Sequence, residues 1–205
     1  MQSIQTVSEN TIYVGASDRR LAKFENLFPI PRGVSYNAYV ILDEKTALLD
    51  TADASVGAQF LENVAAALDG RKLDYLIVDH MEPDHAAMIE AVLVRWPDLR
   101  LVVNAKTLPM LKMYYPADSA AIDDALVVKE GDTLDLGKHK LTFVMAPMVH
   151  WPEVMMTFDT TTGTLFSADA FGTFGALEGA LFADEVDFAG KWLDDARRYY
   201  TNIVG

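Results

Sequence analysis

The chain has 205 residues, 51% of them hydrophobic, with a formal net charge of -13 and no cysteine. That is enough chain for one well-filled domain over residues 1–205, while the acidity and a sequence pI near 4.6 exclude the basic face that nucleic acid or an anionic membrane needs. Without cysteine there is no disulfide framework, thiolate zinc site, iron–sulfur cluster or cysteine nucleophile, so any metal must rest on nitrogen and oxygen ligands.

In chain order, Met1-Gln2-Ser3-Ile4-Gln5 lacks the basic and apolar regions of a signal peptide. No later apolar run approaches the ~20 residues of a bilayer span, so a soluble cytoplasmic protein is expected. Residues 11–14, 36–42 and 46–49 are β-rich, and Asp43-Glu44-Lys45 reads as a hairpin turn between the last two. Val56, Phe60, Val64 and Leu68 recur at helical spacing up to Asp69-Gly70, a good helix stop. A strand over 75–78 leads into a polar loop, followed by a helix over about 86–96 closed by Pro97. A short strand over 101–103 and a helix over 107–115, stopped by Pro116, come next. Strands are then expected over 126–128, 133–135, 140–145, 154–158 and 164–167, and a last helix over 188–204. Two β-rich halves with flanking helices predict two sheets packed face to face with helices outside.

The densest chemistry is His80-Met81-Glu82-Pro83-Asp84-His85, directly after the apolar strand over 75–78. Unpaired ionised groups near a core cost several kcal/mol each, and a metal is the usual compensator. His80 and Glu82, two apart, project to the same side of an extended chain, while Asp84 and His85 turn elsewhere as the helix begins. One short loop can thus serve two metal ions. His150, before Trp151-Pro152, and Asp169 each stand just past another apolar strand. Either alone reads as a turn or capping residue. Three strand ends carrying His, Asp and Glu read as one convergent site, with donors enough for a binuclear centre and a bridging carboxylate. His139, in Gly137-Lys138-His139-Lys140 at a polar hairpin tip, reads as solvated surface.

At these residues the sequence resembles the metallo-β-lactamase-like domain of the flavodiiron proteins, the oxygen and nitric oxide reductases. Hydrolases of the wider superfamily carry His-x-His-x-Asp-His; with Glu82 in the second place, the pattern here is the flavodiiron variant. Asp18-Arg19-Arg20, Phe24-Glu25-Asn26, Pro31 to Asn37, Asp50-Thr51, Ser167 to Leu177 and Tyr199 to Ile203 extend the resemblance over nearly the whole chain. It implies an α/β (α+β) fold, the four-layer αβ/βα sandwich. It also implies one iron on His80, Glu82 and His150 and a second on Asp84 and His85, with Asp169 bridging. The donor chemistry agrees, because a carboxylate in place of an imidazole makes the site harder and more anionic, favouring iron over zinc. Two metals roughly 3.5–4 Å apart can engage both oxygens of O2, or two NO molecules, at once. Tyr199 or Tyr200 is expected to bring its hydroxyl to the site, as a tyrosine of this stretch does in the family; the alternative is that both are helix packing.

Two family features lie outside these residues: a further histidine for the second iron, and the flavodoxin-like domain that binds FMN. The ending Asn202-Ile203-Val204-Gly205 therefore reads as a cut in a longer protein, the alternative being a naturally short protein completed by another chain, with the second metal position weakened and turnover by this piece alone impaired. The resemblance also implies an electron donor such as rubredoxin, and a homodimer in which the flavin of one subunit lies beside the irons of the other. Reduction of O2 to water or of NO to nitrous oxide is the leading expectation. A flavin-free, oxygen-binding diiron sensor and a zinc hydrolase are the alternatives, and Glu82 speaks against the hydrolase.

Overall fold

A computed structural model describes residues 3–205. The strands in chain order are β1 (Gln5–Ser8), β2 (Thr11–Tyr13), β3 (Ala16–Asp18), β4 (Lys23–Phe24), β5 (Phe28–Pro29), β6 (Val34–Tyr36), β7 (Tyr39–Leu42) and β8 (Thr46–Leu49). After α1 (Gly57–Leu68) come β9 (Tyr75–Ile77), α2 (Pro83–Ala86), α3 (Ile89–Arg95), β10 (Arg100–Asn104), α4 (Thr107–Tyr114), α5 (Ser119–Asp123) and β11 (Leu126–Val128). The rest is β12 (Thr133–Asp135), β13 (Lys140–Met145), β14 (Met155–Asp159), β15 (Thr164–Phe166), α6 (Phe188–Lys191) and α7 (Leu193–Tyr199).

Alternation along the central strands decides the layering. Successive side chains of a strand point to opposite faces. Val40, Leu48, Leu76, Leu101 and Val103 accordingly join one hydrophobic cluster, while Ile41, Ala47, Leu49, Ile77 and Val102 join another. Burial on both faces explains why these strands are continuous apolar runs. They are the centre of a seven-stranded sheet, β1-β2-β7-β8-β9-β10-β11, antiparallel as far as β8 and parallel from β8 onward. One face takes Phe60 and Val64 of α1, Ile89 and Val92 of α3, and Leu111 of α4. The other meets Leu141, Phe143, Met155 and Phe166 of a four-stranded antiparallel sheet, β12-β13-β14-β15. The result is the mixed α/β arrangement of two facing sheets with helices outside the larger one. The outward face of the small sheet carries Val144 and Leu165, 37% and 43% exposed.

Several elements differ from expectation, each for a local reason. The strand expected over 36–42 is two strands: β6 pairs with β3, whereas β7 lies between β2 and β8. Pairs as short as β4 with β5 leave too few residues for a period to be read. The helix expected over 86–96 begins earlier and breaks once. Pro83 starts α2, its missing N–H costing nothing at a first helical position, so Asp84 and His85 stand in a helical turn rather than a loop. The last helix is α6, α7 and a wider π-type turn over Tyr200–Val204. The stop of α1 is as read, with Asp69 at φ 46° and Gly70 at φ 81° in the left-handed region.

His139 is a correction. It is buried, 1% exposed, with Nδ1 donating to Asp159 Oδ2 at 2.8 Å and its backbone N–H donating to Asp43 Oδ2 at 2.6 Å. The β12–β13 turn is polar as read, but it folds over the β7–β8 turn, where Lys45 N–H donates to the Leu136 carbonyl.

Candidate metal centre

The end of β9, the start of α2, the β13–β14 turn and the end of β15 meet at one end of the two sheets. His80, Glu82, His150 and Asp169 offer one ligand atom each within 4.8 Å of one another, and so do Asp84, His85 and Asp169. In the first group His80 Nε2 is 3.2 Å from Glu82 Oε2 and 3.2 Å from Asp169 Oδ2. His150 Nε2 is 2.8 Å from Glu82 Oε2 and 3.2 Å from Asp169 Oδ2. In the second, His85 Nε2 is 3.1 Å from Asp169 Oδ1 and 3.7 Å from Asp84 Oδ2. One oxygen of Asp169 thus faces His80 and His150 while the other faces His85.

These spacings suit a metal. Ligand bonds of about 2.1 Å put neighbouring donors roughly 3.0 Å apart at right angles and roughly 3.4 Å apart at tetrahedral angles. Glu82 Oε1, Asp84 Oδ1 and Asp169 Oδ2 are buried with no hydrogen-bond partner. Orphaned carboxylate oxygens at a cluster of imidazoles are what a cation would satisfy.

Electrostatics point the same way. Burial alone would lower the pKa of His80, but Asp169, Glu153 and Glu82 outweigh it and hold the imidazole at about 10. His150 is likewise held at about 9 against burial, by Asp169 and Glu82. Burial opposes ionisation of Asp169, yet the charge of His85 and the close approach of all three histidines keep it far below the usual carboxylate range. Burial pushes Asp84 up to about 7 despite the neighbouring His85. Glu25, at the β4–β5 tip, is pushed up to about 8 by the Glu82 carboxylate beside it, with burial adding to the effect. The metal-free site thus keeps protons on groups that a cation would replace.

Tyr199 is buried and its hydroxyl donates to Asp169 Oδ1 at 2.6 Å. Its ring stands edge-on to Phe174 at 5.1 Å, and Gly172 lets it approach: a Cβ there would lie 3.1 Å from the Asp169 carbonyl and 3.2 Å from Tyr199 Cε1. Tyr200, the other tyrosine singled out in the sequence, is 41% exposed. Three buried acids were not singled out as ligands or ligand holders. Glu153 Oε1 accepts from His80 Nδ1 at 2.8 Å, and Asp50 Oδ2 accepts from His85 Nδ1 at 3.0 Å. Asp79 accepts from the Thr157 hydroxyl at 2.8 Å and is held above its ordinary range by burial and then by Asp50. A carboxylate beside a strand-end histidine was the available signal, and for Glu153 it stood three residues past His150.

Comparison with known proteins agrees with this geometry. The model of the ODP family beta lactamase matches residues 34–200. The chain belongs to this family. Its curated relatives include a nitric oxide reductase of Moorella thermoacetica, 38% identical over 97% of this chain and 49% of that protein. An anaerobic nitric oxide reductase flavorubredoxin of Klebsiella pneumoniae is 37% identical over 97% of this chain and 40% of its own length. The chain therefore spans about half the length of the curated relatives it matches, or less. Among solved structures, the flavodiiron protein of Giardia intestinalis superposes with a TM-score of 0.91 at 28% identity, covering 99% of this chain and 48% of that one. The rubredoxin oxygen:oxidoreductase of Desulfovibrio gigas gives 0.91 at 31% identity, covering 98% and 49%. By sequence and fold this ODP-family chain is the metallo-β-lactamase-like domain of the flavodiiron type. Among its described residues no helix is long and apolar enough to cross a membrane.

Proposed function

We propose that residues 1–205 form the diiron-binding domain of a cytoplasmic flavodiiron-type reductase acting on O2 or NO. Asp169 carries the reading: its Oδ2 faces His80 and His150, and its Oδ1 faces His85, as a bridging carboxylate requires. One iron would rest on His80, Glu82, His150 and Asp169, the other on Asp84, His85 and Asp169. Two bound irons would supply two electrons, enough to take two NO to nitrous oxide and water, while O2 to two waters would need two more from the flavin. Tyr199 orients the shared carboxylate through its 2.6 Å hydrogen bond, and Glu25 holds a proton at the rim beside Glu82. Phe174 packs on Phe24 at 5.7 Å and backs the ring of Tyr199 edge-on at 5.1 Å.

Electrons would come from FMN on a flavodoxin-like domain, reduced by a rubredoxin-type donor, in a homodimer that sets the flavin of one subunit beside the irons of the other. The names of the Klebsiella and Desulfovibrio relatives support that donor. The Moorella and Klebsiella relatives are named nitric oxide reductases and the Desulfovibrio one an oxygen oxidoreductase, which favours this reading over a zinc hydrolase or a flavin-free oxygen sensor. Elemental analysis after expression in iron-supplemented medium, followed by single-turnover O2 and NO consumption by the reduced protein, tests it. Iron in preference to zinc, with consumption of either gas, is expected. Zinc at full occupancy of both positions and an inert reduced protein would overturn it.

A further inference from the structure

We infer that Glu153 is the positioning residue of the first metal position, acting through His80, and that the turn from His150 to Glu153 is one clamp with a ligand at one end and a ligand's holder at the other. The inference rests on the metal-binding reading above. Glu153 is 1% exposed, and its Oε1 accepts both His80 Nδ1–H at 2.8 Å and the Met81 backbone N–H at 3.0 Å. Two donors meeting at one oxygen settle the tautomer and the turn of the ring. Nε2 is left facing Glu82 and Asp169 at 3.2 Å each. Trp151 backs the ring edge-on, at 5.4 Å between centroids.

The holder is itself held. Asn104, at the end of β10, donates Nδ2 to the Glu153 carbonyl at 2.6 Å. Its Oδ1 accepts the backbone N–H groups of Lys106 and Thr107 at 2.8 and 3.1 Å, where α4 begins. His80 is thereby fastened to the β10–α4 junction as well as to its own strand, through a residue 73 positions away in sequence.

The second position has a different holder. Asp50 receives His85 Nδ1 at 3.0 Å on one oxygen and the Asp79 backbone N–H at 2.8 Å on the other. Glu153 is bonded to a ligand of the first group and Asp50 to a ligand of the second, so the two positions should weaken separately. Partners of this kind typically change metal affinity 10–100-fold.

Anaerobic calorimetric titration of the whole chain with Fe(II) reads both steps, the tighter being the group of four ligands. Glu153→Leu is expected to weaken the tighter step about 10–100-fold and leave the weaker step in place. Glu153→Gln keeps a carbonyl oxygen at the same reach and should restore most of the loss. Glu153→Asp keeps the charge but withdraws the oxygen by one methylene, and should resemble Glu153→Leu. Asp50→Asn should weaken the other step. A urea transition on each metal-free variant separates loss of fold from loss of affinity, and Glu153→Gln and Glu153→Asp carry the test if Glu153→Leu does not fold. Parent-like tight binding in Glu153→Asp, or Glu153→Gln as weak as Glu153→Leu, would overturn orientation as the role. Equal weakening of both steps by each variant would overturn the separate clamps. A parent chain that takes up no Fe(II) at all would sink the metal reading and this inference with it.

Discussion

The two ends of the sandwich hold the same pair of groups, a buried histidine against a buried aspartate, and use them differently. At the end away from the metal centre Asp159 is saturated: it accepts from His139 at 2.8 Å, from the Thr162 hydroxyl at 2.6 Å and from the Thr161 amide at 3.0 Å. At the other end Glu82, Asp84 and Asp169 each keep a buried oxygen without a hydrogen-bond partner, although three histidines stand beside them. The difference separates a structural tie from a site. A carboxylate whose acceptors are filled by protein donors fastens strands together; carboxylates left short where the Nε2 atoms of three imidazoles converge await a cation, whereas Glu153, which also keeps one buried oxygen unpartnered, lies behind His80 on its Nδ1 side.

Removing the shared carboxylate should break the metal end most severely. Asp169→Ala leaves His80, His85 and His150 without their common partner, and loss of one member of a buried pair costs about 3–5 kcal/mol. Urea unfolding of the metal-free protein should show that loss, and the variant should gain no midpoint on adding Fe(II). A variant still stabilised by metal as the parent is would contradict Asp169 as the bridge.

The pH dependence follows next. Folded-state values of about 10 for His80 and about 9 for His150 exceed the ordinary value of 6.5. The stability these groups contribute is fully present below that value and is lost as pH rises through the folded ones. With each unit worth about 1.4 kcal/mol, and the part-exposed His150 discounted for solvent screening, the metal-free protein should lose about 5 kcal/mol between pH 6.5 and 10, mostly from His80. Thermal midpoints with and without metal check it. The loaded protein, whose ligand histidines are neutral, should show a flatter profile, and metal uptake should release protons.

His139→Ala sharpens the contrast from the other end. It removes one of the two donors to the buried Asp159 Oδ2, leaving the Thr162 hydroxyl, and should cost about 1–3 kcal/mol while leaving Fe(II) affinity unchanged, by the same urea and calorimetric measurements. A change in metal affinity would mean that the two ends are coupled.

The smallest effect is expected at Gly172. Gly172→Ala sets a methyl 3.2 Å from Tyr199 Cε1 and 3.1 Å from the Asp169 carbonyl. It should cost about 1 kcal/mol of crowding, and lengthening of the Tyr199–Asp169 bond should appear as an altered ultraviolet titration of the phenol.

Much of the centre was legible along the chain. His80, Glu82, Asp84 and His85 are local, and the apolar run before them announced a strand end. The α1 stop and the β7–β8 turn were equally local, set by Asp69-Gly70 and Asp43-Glu44-Lys45. The β6–β7 break was not, because residues 36–42 read as one β-rich run, and only the pairing of Tyr36 with β3 and of Tyr39–Leu42 with β2 and β8 divides it. His139 was misread for the same reason: its surroundings in sequence are polar, and its burial comes from Asp43 and Asp159, 96 and 20 positions away.

The sequence by itself determined the donor set, the absence of thiolate chemistry and the ends of the apolar strands on which the donors stand, because each is a property of composition or short spacing. The tertiary structure alone decided which carboxylates serve the histidines of the candidate metal centre. Glu153 behind His80, Asp50 behind His85 and Tyr199 on Asp169 are joined across 73, 35 and 30 positions. Such partners are chosen by which strands pack side by side and by the cost of leaving a buried acceptor unfilled, and no local pattern records either.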